Sequence, residues 1–511
     1  MAIRLPTTAR PRRQVPAALF WGVASLCLLF AYLSLDERFL RDYWQHLASA
    51  RAADGLGDWL LARDVLTFTI AEEPIVNSDW LSQRLYLWMH RAGALPFVRS
   101  VNAALIAAAF SVLGLVAYRR CRNAAAALIA TVASAVCALQ SLTLRPQSLS
   151  VVLACLVMGV LEVSRRCDTL RLWLLPVMVT WANLHGAFPV GWALLAVDRL
   201  ERWQRARAIV PKNRTGERSD SGASEDRPWH SFWWVDVVCL AVPFAHPQGR
   251  DLISHLLRNA ARSRSREIME WLPPAIGQPA GFFLVVSGAA TLAVCIWLFC
   301  RGRSGAVAGR MAVRALLLGA PACASVRMVA WFGIGMAPLW AEGLAVFLGA
   351  RAPRKRNVPA LALAVPLVLA LAALPWRPLP LPEFPGAVER RGPSAAVAWM
   401  KDQDAGGRVW APFDWGGTLE WELFGNVRLF ADGRVHLYSD ALWEEYLRIE
   451  AGTDGALVLL DYYRVDWVLL ERGRSAALEE MLDASRRWRR VHNDTLAPVF
   501  RRVCETNSRR P

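Results

Sequence analysis

Long apolar runs, separated by short polar or basic segments, dominate the chain between residues 15 and 376. Such runs match the roughly 17–25 apolar residues that an α-helix needs to cross a bilayer. We predict about eleven spans, with the N-terminus in the cytoplasm and the C-terminus outside. The predicted spans are 16–35, 97–118, 123–141, 148–165, 170–184, 186–201, 232–246, 279–300, 312–325, 328–349 and 358–376.

Residues 170–201 allow two interpretations, one long helix or a hairpin of two short helices that turns at residues 183–186. A single helix would invert the later topology and place the Arg-rich segments 202–231 and 351–357 outside the cell. That placement contradicts the positive-inside rule, so we predict the hairpin. Each helix would have about 15 residues and a length of about 22 Å, which is less than the bilayer core. The turn is therefore expected to lie beside a wet cavity.

The C-terminal fifth of the chain has a different pattern. Residues 377–392 are Pro-rich and predict a linker between a membrane domain (1–376) and a soluble domain (393–511). In the soluble domain, strand candidates alternate with amphipathic helices, which favours a small α/β fold with a mostly parallel sheet and an antiparallel edge. The strand candidates are 408–413, 427–432 and 466–471, followed by a terminal hairpin within 488–503. The predicted fold class is thus a mainly α, polytopic membrane protein with a small C-terminal α/β domain.

The charge distribution excludes one class of partner. The chain has 511 residues, 55% of them hydrophobic, and a formal net charge of +16. The basic clusters begin near residues 119, 165, 202, 300 and 351, all in short segments between apolar runs. This is the pattern of solvated, topology-setting loops, so we predict no nucleic-acid partner. The ten cysteines show no metal-binding spacing, and no G-x-S-x-G, H-E-x-x-H or Walker motif is present.

The hydrophilic loop 36–96 between the first two predicted spans is much longer than a connection requires and is rich in acids. Asp42 and His46 would share one face of a helix. A carboxylate here can deprotonate an acceptor hydroxyl or hold a divalent cation against a phosphate, and a solvated surface acid is the alternative. Asp64 fits a residue that pins a turn as well as a site residue, and Ser78 or Asp79 fits the cap of the next helix.

Polar residues also occupy the outer ends of several predicted spans. Arg145 and Arg327 violate the local charge bias, and the planar guanidinium fork suits a phosphate. The alternative is an interfacial arginine that extends to the bilayer surface. His185 fits a hydrogen-bonded structural residue as well as a site residue, and Glu270 is a candidate second acid. The turns Trp415–Gly417 and Asp432–Arg434 fit anion-binding loops less well than simple tight turns.

Seven short motifs, taken in order, resemble bacterial membrane proteins of the GT-C glycosyltransferase-like group, which includes dolichyl-phosphate-mannose-protein mannosyltransferase-like proteins. The motifs are Asp42–Leu47, Asp64–Thr69, Trp80–Ser82, Trp181–Gly186, Glu270–Pro274, Trp415–Gly417 and Phe430–Arg434. The resemblance implies transfer of a sugar from a polyprenyl-phosphate-linked donor, with the catalytic acid in the first outer loop. It makes Asp42 the candidate base or metal-proximal acid, and Arg145 and Arg327 candidate ligands of the lipid phosphate.

The sequence therefore predicts an enzyme of the bacterial inner membrane that acts on a lipid or glycan acceptor at the outer face, with its C-terminal domain in the periplasm. A divalent metal, Mg²⁺ or Mn²⁺, is compatible with this function but is not required. The alternative is a non-catalytic scaffold or transport protein of cell-envelope glycolipid or polysaccharide assembly. Convergence of the candidates on one outward cavity would favour catalysis. We predict Asp42 and His46 as catalytic residues and Arg145, His185, Arg327, Asp64, Asp79 and Glu270 as substrate-binding residues.

Overall fold

The computed structural model describes residues 14–16, 41–209, 232–300, 305–348, 357–359 and 392–503. Within these ranges, six helices are long and apolar enough to cross a membrane, and the protein is a multi-pass membrane protein. The six are Trp80–Cys121, Ala124–Ser141, Pro146–Val163, Pro279–Cys300, Gly305–Ala324 and Val326–Phe347. The predicted spans 16–35 and 358–376 lie almost wholly outside the described residues.

The described part before residue 349 contains eleven α-helices. They are α1 (Arg41–Gly55), α2 (Trp80–Cys121), α3 (Ala124–Ala138), α4 (Pro146–Val163), α5 (Leu174–Leu184), α6 (Pro189–Ile209), α7 (Trp233–Leu240), α8 (Gly249–Ser265), α9 (Pro279–Cys300), α10 (Gly305–Ala324) and α11 (Val329–Phe347). A short antiparallel pair joins β1 (Gln14–Pro16) to β2 (Asn357–Pro359), which brings the beginnings of the first and last predicted spans together.

Helix α2 is kinked where the first loop ends and the predicted second span begins. Ala94 has a left-handed φ of 54°, next to the non-helical Gly93, and Pro96 follows two residues later. Proline cannot donate a helical hydrogen bond, and a left-handed residue breaks the run of the helix. The first turns of α2 therefore belong to the hydrophilic loop, and the apolar part behind the kink is the span.

The prediction of a hairpin in 170–201 is confirmed. Helices α5 and α6 are separated by a break at residues 185–188. Arg171, just before α5, lies 2.9 Å from Asp198 in the middle of α6, so the chain reverses direction at the break. The predicted span 232–246 is shorter than expected. It consists of α7 and a 3₁₀ turn at Val242–Ala245, because Pro243 ends the regular helix.

The expectation that the basic clusters are solvated is wrong for several of their arginines. Arg120 is 6% exposed and lies 3.0 Å from Glu162 and 3.4 Å from Glu201. Arg165 lies 2.9 Å from Asp198. The acids come from neighbouring helices at the same end of the bundle. A buried charge is tolerated only with such partners, so these arginines join helices as well as bias topology.

The C-terminal domain contains five strands, β3 (Gly407–Trp410), β4 (Val427–Leu429), β5 (Trp467–Leu469), β6 (Trp488–His492) and β7 (Val499–Arg502). They form one sheet with the order β4-β3-β5-β7-β6. Strand β3 pairs in parallel with β4 and β5, whereas β7 is antiparallel to both β5 and β6. The predicted antiparallel edge is present, but the sheet is evenly mixed rather than mostly parallel, because the terminal hairpin supplies two of the four pairings. The helices are α12 (Ser394–Asp402), α13 (Gly416–Glu422), α14 (Asp440–Glu450), α15 (Ala456–Tyr462) and α16 (Ala476–Ala484).

The first loop is built into this C-terminal domain. The Phe68 amide donates to the Leu429 carbonyl at 3.0 Å, and the Leu429 amide donates to Leu66 at 3.1 Å, which extends the sheet beyond β4. On the other side, Trp44 of α1 stacks on Trp421 of α13, with ring centroids 5.9 Å apart. The loop and the domain therefore pack as one layer above the helix ends.

Candidate active site

A cavity of about 1300 Å³ separates the ends of the membrane helices from the C-terminal domain. Seven of the eight predicted site residues line it, although they come from six separate stretches of the chain. The seven are Asp42, His46, Asp79, Arg145, His185, Glu270 and Arg327. The convergence that the catalytic interpretation requires is therefore present.

Four charged side chains form a continuous row on the helix side of the cavity. The Arg145 guanidinium lies 3.0 Å from Asp42 and 2.6 Å from Glu270. The second oxygen of Glu270 lies 3.7 Å from Arg327, whose guanidinium also covers the Trp271 ring at 4.8 Å. One carboxylate thus bridges two arginines. An anion with two free oxygens can make the same two contacts.

Local structure places both arginines at helix beginnings. Arg145 directly precedes α4, where Pro146 occupies the first helical position that suits proline. Arg327 lies in the 3₁₀ turn Val326–Met328 directly before α11. The Val326 amide donates to the Leu272 carbonyl at 3.0 Å, and this contact fixes the segment that carries Glu270 beside Arg327.

The environment keeps Asp42 ionised. Enclosure in the cavity, away from bulk water, raises the pKa of the Asp42 carboxyl, but the positive charge of Arg145 and smaller contributions from His46 and Arg327 outweigh it, so the pKa is lowered. The side chain is 52% exposed within the cavity. Asp42 is therefore an anion at neutral pH, and the cavity water or a ligand can reach it.

The tautomer of His185 follows from its partners. The Trp181 indole, a donor only, donates to the Ser150 hydroxyl at 2.8 Å. That hydroxyl lies 2.8 Å from His185 Nδ1, and the Ala187 amide donates to the same nitrogen at 3.3 Å. Nδ1 therefore accepts, and Nε2 carries the hydrogen of the neutral ring. Burial, only partly opposed by Asp79, lowers the pKa of His185 to about 4.

His46 and Asp79 lie on the same wall. Burial lowers the pKa of His46, so its ring is neutral near pH 7. Burial raises the pKa of Asp79, but His185 and His46 together with a hydrogen bond from Ser78 lower it further, and Asp79 is ionised. The wall therefore offers neutral imidazoles beside carboxylates, a set that can donate to and accept from sugar hydroxyls.

Asp64 is the exception among the predicted site residues, and its assignment to substrate binding is corrected. It is 0% exposed and does not line the cavity. Its carboxylate accepts hydrogen bonds from the Thr67 amide at 2.9 Å and the Thr67 hydroxyl at 2.6 Å. The other oxygen lies 2.5 Å from Arg434. Asp64 therefore pins a turn and ties the first loop to the C-terminal domain.

We expect Asp64→Ala to destabilise the protein, because it leaves the buried Arg434 without one of its two anions. Loss of one partner of a buried pair costs about 3–5 kcal/mol. Thermal unfolding in detergent, followed by tryptophan fluorescence, should show a clearly lower midpoint. Asp58→Ala, a change at an exposed position in the same loop, should leave the midpoint unchanged. Equal midpoints for the two variants would contradict the assigned role.

The C-terminal domain supplies the opposite wall of the cavity, with aromatic and acidic residues that are not among the predicted site residues. Its aromatic side chains are Phe413 and Trp443, and its charged groups include four carboxylates. The carboxylates are Asp414, Asp440, Glu444 and Glu450. An aromatic face among hydrogen-bonding groups is suited to a polyhydroxylated ligand. The sequence signal for this wall is the motif Asp432–Arg434, because Gly433 and Arg434 line the cavity.

The described residues offer no ready metal centre. Across 41–209, 232–300, 305–348 and 392–503, no three or more His, Cys, Asp or Glu side chains converge in an arrangement that could hold a metal ion. The divalent cation stays a prediction, and no chemical step below depends on it.

No protein-family model and no curated protein matches the chain. Its structure is similar to that of two solved GT-C glycosyltransferases. ArnT from Cupriavidus metallidurans, solved bound to undecaprenyl phosphate, is 13% identical with a TM-score of 0.52 over 96% of this chain and 98% of ArnT. The mycobacterial arabinofuranosyltransferase AftD is 15% identical with a TM-score of 0.50 over 96% of this chain, which spans only 40% of AftD. The predicted GT-C-like fold is confirmed.

Proposed function

We propose that this protein is a glycosyltransferase that moves a sugar from a polyprenyl-phosphate-linked donor to an acceptor at the outer face of the bacterial inner membrane. The observation that carries the proposal is the convergence of Asp42, Arg145, His185 and Arg327 on one cavity. A scaffold protein has no need to collect these groups. The likeness to ArnT, which was solved with undecaprenyl phosphate, supports a donor of this kind.

In this proposal the donor phosphate takes the place of Glu270 between Arg145 and Arg327. A polyprenyl phosphosugar is a phosphodiester with one negative charge and two free oxygens, as a carboxylate has. When the sugar departs, the phosphate gains a second negative charge. Two guanidiniums already in position stabilise that developing charge and the leaving group.

Asp42 then acts as the base. Its carboxylate takes the proton from an acceptor hydroxyl as the oxygen attacks the anomeric carbon. The bond between that carbon and the phosphate oxygen breaks, and polyprenyl phosphate leaves with the electron pair. Arg145 contacts both Asp42 and the phosphate position, so it aligns the base with the reacting centre. His46, Asp79 and His185 hold the hydroxyls of the sugars.

The C-terminal domain, placed in the periplasm, forms the acceptor side of the cavity. Its wall of carboxylates and aromatic rings favours a saccharide, either free or carried on a lipid. The donor enters from the bilayer between the helices, so membrane lipids surround the site. The proposed membrane domain is 1–376, joined through the linker 377–392 to the domain 393–511.

The proposal is tested by deleting the gene in its source bacterium and analysing glycolipids and glycans by mass spectrometry. Loss of one sugar from a product, with accumulation of its polyprenyl-phosphate donor, is the expected result. A wild-type copy should reverse both changes. If the donor does not accumulate and every glycan keeps its mass, sugar transfer by this protein is contradicted.

A further inference from the structure

Three buried carboxylates lie near a single guanidinium in the cavity wall. Asp64, Glu420 and Asp432 are 0%, 2% and 0% exposed. Arg434 contacts both aspartates through Nη2, and its Nε donates to Asp432 at 2.9 Å. One positive charge cannot neutralise three buried negative charges, and an uncompensated buried carboxylate takes up a proton instead.

The hydrogen bonds identify which carboxylate is protonated. Asp432 accepts from the Arg434 amide at 2.8 Å and from the Arg434 guanidinium. Asp64 accepts from Thr67 and Arg434. Among the described residues, Glu420 accepts a hydrogen bond only from the Gln45 side-chain amide, which donates to Oε2 at 2.5 Å. No donor in this part of the chain reaches the buried Oε1.

The Asp432 carboxylate lies beside the same face of α13, because Asp432 packs against Gly416, one helical turn before Glu420. Two carboxyl groups can share a hydrogen bond only if one of them carries a proton. We infer that Glu420 is a protonated acid that donates to Asp432 and thereby fastens the C-terminal domain to the helix that carries Asp42. The inference rests on the proposed function where it concerns Asp42.

The pKa values agree with this geometry. Burial and the negative charge of Asp432 raise the pKa of Glu420 well above its usual value, although Arg434 opposes them. Burial also raises the pKa of Asp432, but Arg434 and the hydrogen bond from Glu420 lower it further. The charged groups that face Glu420 are Asp432, Arg434 and Asp64, and helix α1 faces it with the uncharged Gln45.

The glycine motif at the beginning of α13 permits this contact. A Cβ atom on Gly416 would lie 2.8 Å from Cβ and 2.9 Å from Cα of Asp432, closer than real Cβ contacts come. A glycine is therefore required for Asp432 to approach α13 and reach Glu420. The two turns that the sequence marked separately, 415–417 and 432–434, are the two halves of one contact.

Gln45 connects the acid pair to the proposed chemistry. It lines the cavity three residues after Asp42 on α1, and its amide is held by Glu420. A shift of α1 would move Asp42 away from Arg145. Glu420 is therefore a positioning residue, which acts through Gln45 and α1 without contact with substrate.

Isosteric amide substitutions test the inference on the full-length protein in detergent. Glu420→Gln keeps both hydrogen bonds, because its NH₂ group replaces the acid O–H and its carbonyl still accepts from Gln45. We expect its unfolding midpoint to stay within about 2 °C of wild type. Asp432→Asn removes the anion that Arg434 needs and should lower the midpoint by at least about 5 °C. Glu422→Gln, on the exposed face of the same helix, is the matched control.

Infrared difference spectra provide a second readout that does not depend on activity. At neutral pH, the spectrum of wild type minus that of Glu420→Gln should show the carbonyl band of a protonated carboxylic acid, and wild type minus Glu422→Gln should not.

Transfer assays test the positioning role. Glu420→Ala should lower kcat by about 10–100-fold with little change in the donor KM, whereas Glu420→Gln should keep the wild-type kcat.

The outcomes separate this inference from the proposed function. Absence of the acid band, or a Glu420→Gln variant as unstable as Asp432→Asn, overturns the shared proton. If the acid band is present and only Asp432→Asn is destabilised, but wild type transfers no sugar, the shared proton is supported and the proposed function fails. A kcat of Glu420→Ala equal to wild type would overturn the positioning role.

Discussion

Asp42→Asn should abolish sugar transfer while leaving the fold unchanged. The asparagine oxygen can still accept from Arg145, and the exposed side chain supports no core. What is lost is the carboxylate that takes the acceptor proton, a contribution of about 10²–10⁴-fold to kcat. Transfer to the acceptor, followed by product mass spectrometry with a purified donor, measures this loss. The donor KM should change little, because the arginines that hold the phosphate are intact.

Asp58→Asn provides the control for this experiment. Asp58 is an exposed acid of the same loop and does not line the cavity. Its activity should equal that of wild type, and both variants should unfold at the wild-type temperature. An Asp42→Asn enzyme with wild-type kcat would place the base elsewhere, and Asp79 would be the next residue to examine because it is an ionised acid on the same wall.

The parts of the fold that a bilayer dictates were predictable from the sequence. The length of each apolar run and the position of basic residues follow from the thickness and charge asymmetry of the membrane. These rules predicted a turn at 183–186, which the structure places at 185–188, and the span that begins after the kink in α2. The strands of the C-terminal domain were predictable because each is a short segment with apolar residues that is bounded by turn residues or by a helix.

The partners of the charged residues were not predictable. Arg145 and Asp42 are 103 residues apart, and Arg434 and Asp64 are 370 apart. Each looks in the sequence like an isolated polar residue at a segment end. For Asp64 the sequence allows both a role in the site and a role in pinning a turn. Its hydrogen bonds to Thr67, three residues later, show that local turn geometry decides its role.

The C-terminal domain shows the same limit at a larger scale. Its helices and strands were predictable one by one, yet the cavity forms only when the domain covers the helix ends. Gly416 and Asp432 each fit an ordinary tight turn when read alone. They form one contact only because the two turns pack against each other, and the distance between two turns cannot be predicted from a single sequence.

Arg145→Ala should cause the second large loss of activity. Arg145 neutralises Asp42 and Glu270 at once, so its removal leaves two carboxylates facing a phosphate with one fewer cation. We expect kcat/KM to fall by roughly 10²–10³-fold, as for removal of a group that stabilises developing charge. Binding of undecaprenyl phosphate to the purified protein should weaken in parallel. Arg145→Lys should retain more activity and binding than Arg145→Ala but less than wild type, because an ammonium lacks the planar fork of a guanidinium.

The pH profile of kcat in Arg145→Ala distinguishes loss of an anion site from loss of structure. The Arg145 charge lowers the pKa of Asp42, so without it that pKa must rise. A base with a higher pKa becomes protonated at a higher pH, and the acid limb of kcat should move upward in Arg145→Ala. Arg258→Ala, an exposed position on α8 outside the cavity, should leave the limb in place. An unmoved limb in Arg145→Ala, with full binding of undecaprenyl phosphate, would show that Arg145 neither holds the donor nor tunes the base.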